Sequence, residues 1–191
     1  MFLDDVVLVT EALREYGLLK PMVDLGGQAS PVCADYTLLP ESPFVKLEGR
    51  PFDRIDPSYT ILNPELGHPP IEDMTEAKWG TVLCLSVLEH VENPFAVFDG
   101  LYRSLLPGGL LILSTVFAFR YHPAPEDYWR FTPSCLRMLA EKAGLTVLDC
   151  GWRVKALLVQ NDEYNLVRSV YVIARKGEYD TGRTFAAGQE V

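Results

Sequence analysis

Residues 81 to 88 read TVLCLSVL, a nearly unbroken apolar run. It lacks the alternation of a strand with one wet face. It therefore reads as a strand buried on both faces, which is the interior of a mostly parallel sheet. The run ends on Glu89 and His90. Asn93 and Pro94 follow, a helix cap and a first helical residue. Phe98, Leu101, Tyr102 and Leu105 then fall at i, i+3, i+4 and i+7, a core-facing helical stripe. PGG at 107 to 109 is expected to end that helix.

The same alternation runs along the chain. Val6, Val9, Leu13 and Tyr16 predict an amphipathic helix over 6–16. PMVDLGG predicts a short strand ending on Asp24, LEGRPFDRIDPS a second ending near Asp56, and YTILNPE a third. LLILSTVF predicts another buried strand. Thr132 and Pro133 repeat the cap-and-proline start, Leu136, Leu139, Ala140 and Ala143 give the apolar stripe, and Gly144 the stop. LTVLDCGWRV and SVYVIARK close the pattern as two strands with no helix between them. The joining segment KALLVQNDEYNLVR is either a long loop or a hairpin, so the last strand is expected to be antiparallel. Strands alternating with helices imply βαβ units and one α/β domain over 1–176, with 177–191 a flexible tail.

Such sheets carry their ligands beyond the C-terminal strand ends, near the point where strand order reverses. Glu89 and His90 lie at such an end. Residues 120 to 133, RYHPAPEDYWRFTP, form a loop expected at the same edge. It gathers Tyr121, His122, Asp127, Tyr128, Trp129 and Arg130, where ordinary loops are small and polar. His90 and His122 are candidate bases, since imidazole titrates near neutral pH. Tyr121 and Tyr128 offer aromatic faces to a cation or an acceptor ring. Arg130 can clamp an acidic group or Asp127. Glu89 is expected to shape the site or meet the acceptor.

Composition removes several function classes. Among 191 residues, 17 are Lys or Arg and 26 are Asp or Glu, a net charge of −9. This argues against holding nucleic acid by its phosphates. No basic run suggests membrane docking, and no apolar stretch is long enough to span a bilayer. Cys33, Cys84, Cys135 and Cys150 are widely spaced, which reads as free thiols in a reducing cytoplasm. No two of His68, His90 and His122 sit at i, i+4, so the spacing points to no metal site. The turn DLGGQAS lacks the G-x-G-x-x-G of a nicotinamide dehydrogenase, and no GK[ST] follows any glycine pair.

VDLGG, then VLCLSVLEHVENP, then LLPGGLLILSTVF, then the strand-helix-strand-strand close, resembles the class I S-adenosylmethionine-dependent methyltransferases over roughly residues 20–175. The resemblance implies a Rossmann-like, mostly parallel seven-stranded sheet with its last strand inserted antiparallel and helices on both faces. It implies S-adenosylmethionine as cofactor. Asp24 matches the acidic start of the family's glycine loop, Gly26 its first glycine, and Gly27 a variable position, while Gln28 and Ser30 replace the second and third glycines. Asp56, with Asp53 second, matches the residue that holds the ribose hydroxyls, a task suited to a carboxylate. Asn63 or Glu65 falls where the adenine is met, and Ser86 where the methionine part passes. A loop similar to H-x-x-P-x-D-Y-W-R-F-T-P occurs in a branch of this family linked to glycan or small-metabolite modification. The implied reaction is methyl transfer to an oxygen or nitrogen of such an acceptor, by a monomer or a homo-oligomer. The rival expectation is a methyltransferase-like domain that binds without catalysing.

Overall fold

In the computed structural model, residues 3–26, 59–64, 67–123, 126–159 and 162–178 are described. Helix α1 (Leu3–Tyr16) is followed by strands β1 (Met22–Leu25), β2 (Tyr59–Leu62) and β3 (Trp79–Leu85). Helix α2 (Pro94–Ser104), β4 (Leu105–Val116), α3 (Pro133–Lys142), β5 (Thr146–Val159) and β6 (Asp162–Arg175) complete the chain. Among the described residues the sheet has six strands in the order β2-β1-β3-β4-β6-β5. Seven were expected. The stretch assigned to a strand ending near Asp56 lies outside the described residues, as does the tail from 179.

β1 pairs in parallel with β2 and β3, and β3 with β4. β6 is inserted antiparallel between β4 and β5, with Leu110 opposite Arg175 and Val116 opposite Ser169. The joining segment that was open between loop and hairpin is strand on both sides of 160–161, so β5 and β6 form one long hairpin.

The apolar runs do what their lack of alternation requires. Val82, Leu83 and Cys84 of β3 and Leu110 to Leu113 of β4 are fully buried. One core lies between the sheet and α2 and α3, holding Val97, Phe98, Leu101, Leu136, Leu139 and Ala140. The other lies under α1, with Leu8, Val9, Leu13, Leu83 and Ile112. The two caps form as expected. Asn93 accepts hydrogen bonds from the N–H groups of Phe95 and Ala96, and Thr132 from that of Cys135.

One boundary differs from the sequence reading. α2 ends at Ser104, before PGG, and β4 already starts at Leu105, which pairs with Trp79. The turn at Pro107–Gly109 sits inside that strand as a register shift rather than as a helix stop. Gly80 explains why a small residue follows Trp79. A Cβ there would lie 2.7 Å from the carbonyl carbon and oxygen of Leu19, where the incoming chain crosses β3.

Candidate functional site

β1 lies between β2 and β3, so strand order reverses at β1. The C-terminal ends of β1 and β3 therefore flank the crevice where such sheets bind ligands. β1 delivers Asp24, which is 1% exposed, and then Gly26. Gly26 has φ +78°, and a Cβ on it would lie 2.3 Å from Val87 Cγ2. Glycine is needed here both for the left-handed turn and for the close approach of the β3 end. Asn63, just past β2, is also buried, and its N–H donates to His68 Nδ1 at 3.0 Å. Gly27, Asp56 and Glu65 lie outside the described residues.

At the end of β3 the chain turns sharply. Ser86 takes φ +56°, in the left-handed region that a side chain disfavours, and its N–H is held by the Ser114 carbonyl at 2.9 Å. Strain of this kind at a strand end is typical of functional turns. A one-turn 3₁₀ helix, Leu88–His90, follows and drives the Glu89 side chain inward. Glu89 is fully buried. Its Oε2 accepts from the Thr115 hydroxyl of β4 at 2.7 Å, while its Oε1 has no hydrogen-bond partner. Burial raises the Glu89 pKa, and the Thr115 hydroxyl and the nearby histidines counter that rise.

The loop after β4 folds back onto this turn. The N–H groups of Tyr128 and Trp129 donate to the Glu89 carbonyl, at 2.8 and 3.3 Å, and Trp129 Nε1–H donates to the Val91 carbonyl at 2.8 Å. His122 Nε2 then lies 4.0 Å from Glu89 Oε1, and His90 Nε2 lies 3.9 Å from the same oxygen. The two imidazoles meet edge to face, 4.9 Å between centroids, and Phe119 packs against the far side of His122.

Asp127 and Arg130 hold this loop from within. Arg130 grips both carboxylate oxygens of Asp127, at 2.5 and 2.8 Å, and donates as well to the carbonyls of Phe119, Arg120 and Trp129. Asp127 Oδ2 in turn accepts the His122 backbone N–H at 2.9 Å and lies 3.0 Å from His122 Nδ1. The Arg130 guanidinium keeps the Asp127 carboxyl well below the usual carboxylate range. Tyr121 and Tyr128 stand exposed on the same loop, and the Tyr128 hydroxyl reaches Glu92 at 3.4 Å.

The residues singled out by sequence divide accordingly. Glu89, His90 and His122 converge on one point. Asp24, Gly26, Ser86 and Asn63 line the neighbouring strand ends. Asp127 and Arg130 brace the loop that carries His122. Thr115 escaped sequence reasoning; its hydroxyl sits in an apolar run, and only the pairing of β3 with β4 shows what it faces. Cys84, beneath the site, is fully buried, and its thiol pKa is pushed far up by burial, with Glu89 and Asp24 adding to it.

No protein-family model matches the chain. It is 38% identical over 102 residues to a ubiquinone biosynthesis O-methyltransferase of Psychrobacter arcticus, covering 43% of this chain and 40% of the relative. Over 52 residues it is 38% identical to the protein of the same name from Psychrobacter cryohalolentis, covering 26% and 20%. The chain thus spans less than half the length of the curated relatives it matches. Among solved structures, a Burkholderia thailandensis 1,6-didemethyltoxoflavin-N1-methyltransferase with bound S-adenosylhomocysteine superposes with TM-score 0.62 at 16% identity, covering 92% of this chain and 79% of that one. A Haemonchus contortus phosphoethanolamine N-methyltransferase bound to S-adenosyl-L-methionine gives 0.53 at 13%, covering 87% and 51%. The [4+2]-cyclase SpnF gives 0.57 at 13%, covering 91% and 80%. At these identities the likeness establishes the fold, and the cyclase shows that this fold carries more than one reaction.

Proposed function

We propose that the chain transfers a methyl group from S-adenosylmethionine to an oxygen of a small-molecule or glycan-related acceptor, with nitrogen as the alternative atom, a reading supported by its methyltransferase-like fold and its partial likeness to curated O-methyltransferases. The observation that carries this is the convergence of Glu89, His90 and His122 beside the β1 turn, at the edge of the sheet where the cofactor's methyl would be presented. The names of the curated relatives favour oxygen.

In this reading Asp24, Gly26, Gly27, Asp56, Asn63 and Ser86 hold the cofactor. Held there, S-adenosylmethionine would supply an activated methyl group to the acceptor oxygen and would leave as S-adenosylhomocysteine. The acceptor proton passes to Nε2 of His90 or His122, and Glu89 offsets the imidazolium charge. A sulfonium already activates its methyl group, so alignment and exclusion of water supply much of the remaining rate. Tyr121 and Tyr128 form the outer wall for the acceptor. Asp127 and Arg130 orient His122.

Calorimetric titration with S-adenosylmethionine and S-adenosylhomocysteine, repeated on Asp56→Ala, tests this. Binding of both ligands, lost in the variant, is expected, followed by S-adenosylhomocysteine release in a screen of hydroxyl and amine acceptors. A folded protein that binds neither ligand would move the reading to a methyltransferase-like binding domain without catalysis.

A further inference from the structure

We propose that Glu89, His90 and His122 form a binding site for one divalent cation of the zinc class. The site deepens the methyl-transfer reading and rests on it for its use, which would be to hold an acceptor oxygen.

His90 Nδ1 lies 2.5 Å from the Glu126 carbonyl oxygen. A carbonyl only accepts, so this nitrogen carries the proton. His122 Nδ1 lies 3.1 Å from the Arg120 carbonyl and 3.0 Å from Asp127 Oδ2, again acceptors only, since Asp127 is held ionised by Arg130. In the neutral form of each ring Nε2 is then a bare lone pair. Both Nε2 atoms face Glu89 Oε1, which is buried without a hydrogen-bond partner.

Three electron-rich atoms thus lie within 4.8 Å of one another with no donor between them. Their separations of 3.9 and 4.0 Å from the carboxylate are too long for direct hydrogen bonds. A buried carboxylate oxygen facing two lone pairs is unfavourable unless a proton or a cation fills the gap. A tetrahedral ion with ligands at about 2.1 Å would draw the donors to roughly 3.4 Å apart, a contraction of about half an ångström for each nitrogen–oxygen pair and of up to about 1.4 Å between the two nitrogens.

The surroundings match those of a metal ligand set. Each imidazole donates its other N–H to a carbonyl or carboxylate, and the carboxylate's second oxygen is fixed by Thr115. These outer contacts orient ligands and raise their basicity. Two nitrogens and one oxygen select a zinc-class ion over magnesium or calcium, which prefer all-oxygen sites. Three protein ligands leave a position for water or an acceptor hydroxyl. With the ion bound, the rings act as ligands rather than bases. The ion then lowers the pKa of the hydroxyl, whose proton leaves to water.

The test uses full-length, tag-free protein stripped with a chelator. Zn²⁺ is titrated in competition with a chromophoric chelator, and Co²⁺ is followed by its visible absorption. One equivalent per chain is expected, undisturbed by excess Mg²⁺. His122→Ala and His90→Ala should each abolish stoichiometric binding while circular dichroism stays unchanged. Asp127→Asn should weaken Zn²⁺ binding about 10–100-fold by releasing the His122 ring. Absence of stoichiometric binding by the folded protein, or Zn²⁺ binding unchanged in the His90→Ala/His122→Ala double variant, overturns the site. S-adenosylmethionine is titrated in parallel. Zn²⁺ binding without cofactor binding upholds the cation site and counts against methyl transfer.

Discussion

Asp127 meets two partners of different kinds through one carboxylate. Arg130 grips it in a fork, and its Oδ2 also accepts the His122 backbone N–H and faces His122 Nδ1. Lysine lacks the planar fork, so Arg130→Lys is not conservative here. We expect Arg130→Lys to lower turnover at least tenfold with cofactor affinity unchanged, measured as kcat against calorimetric binding, an effect of about 1.4 kcal/mol on the barrier. Equal losses in both quantities would mean that the pair serves the cofactor pocket instead. The same pair sets an acid limit on stability. The folded pKa of Asp127 lies below its unfolded value, so its contribution is present above the unfolded carboxylate range and is lost as pH falls through the folded value. Asp127→Asn should therefore cost stability uniformly between about pH 5 and 8, by about 1.5–3 kcal/mol, and the difference from the parent should shrink below about pH 4. Urea unfolding across that range measures both.

Thr115 and Glu89 show why a hydroxyl sits in an otherwise apolar strand. Thr115→Val keeps the shape and removes the donor to Glu89 Oε2. The carboxylate would then lose the Thr115 hydroxyl that donates to it. A destabilisation of about 1–3 kcal/mol is expected from urea unfolding. If the protein also binds a cation through Glu89, Zn²⁺ should recover part of that loss, because a ligand that binds only the folded state stabilises it.

The helices beside the site are fixed at their N-terminal ends as well as by their buried faces. α2 and α3 both begin with a capping side chain followed by proline, and both caps stand next to loops that shape the site. Asn93 follows the Glu89–His90 turn directly, and Thr132 ends the His122 loop. Replacing either by alanine should cost about 0.5–2 kcal/mol in urea unfolding. The two variants should differ in function. Thr132→Ala loosens the loop that carries His122, so its turnover should fall more than that of Asn93→Ala. Equal turnover in the two would show that the loop is held by Trp129 and Arg130 alone. These caps were readable in the sequence because capping depends on a few adjacent residues. The early start of β4 was not. Leu105 fits a helical stripe equally well, and only pairing with Trp79 decides between strand and helix.

At the scale of the whole molecule, what was legible was periodicity, and what was hidden was convergence. The runs TVLCLSVL and LLILSTVF announce strands buried on both faces, and the alternation with helices announces a parallel sheet. His90 and His122 are far apart in sequence, and no spacing rule joins them. They meet because hydrogen bonds from Tyr128 and Trp129 to Glu89 and Val91 fold one loop onto the end of another strand. The place of β6 was foreseen as antiparallel, and its cost to the chain follows from the pairing. β4 meets β5 only through β6, since β5 pairs with β6 and β6 with β4. The end of β6 also closes distant structure. Lys176 is buried, and its ammonium donates to the carbonyls of Tyr102 and Leu105 at the C-terminal end of α2, both at 3.0 Å. A chain stopped after residue 161 would therefore lose a central strand and the tie to α2 rather than an edge strand. Such a chain should show no cooperative urea transition, and the β4 amides that bond to β6 should be protected from exchange in the 191-residue chain and unprotected in the truncated one. Hydrogen exchange on the two chains measures this. A truncated chain that unfolds cooperatively at the parent midpoint would mean that β1, β3 and β4 form a self-sufficient sheet, and the inserted strand would then be an addition to the fold rather than its closing element.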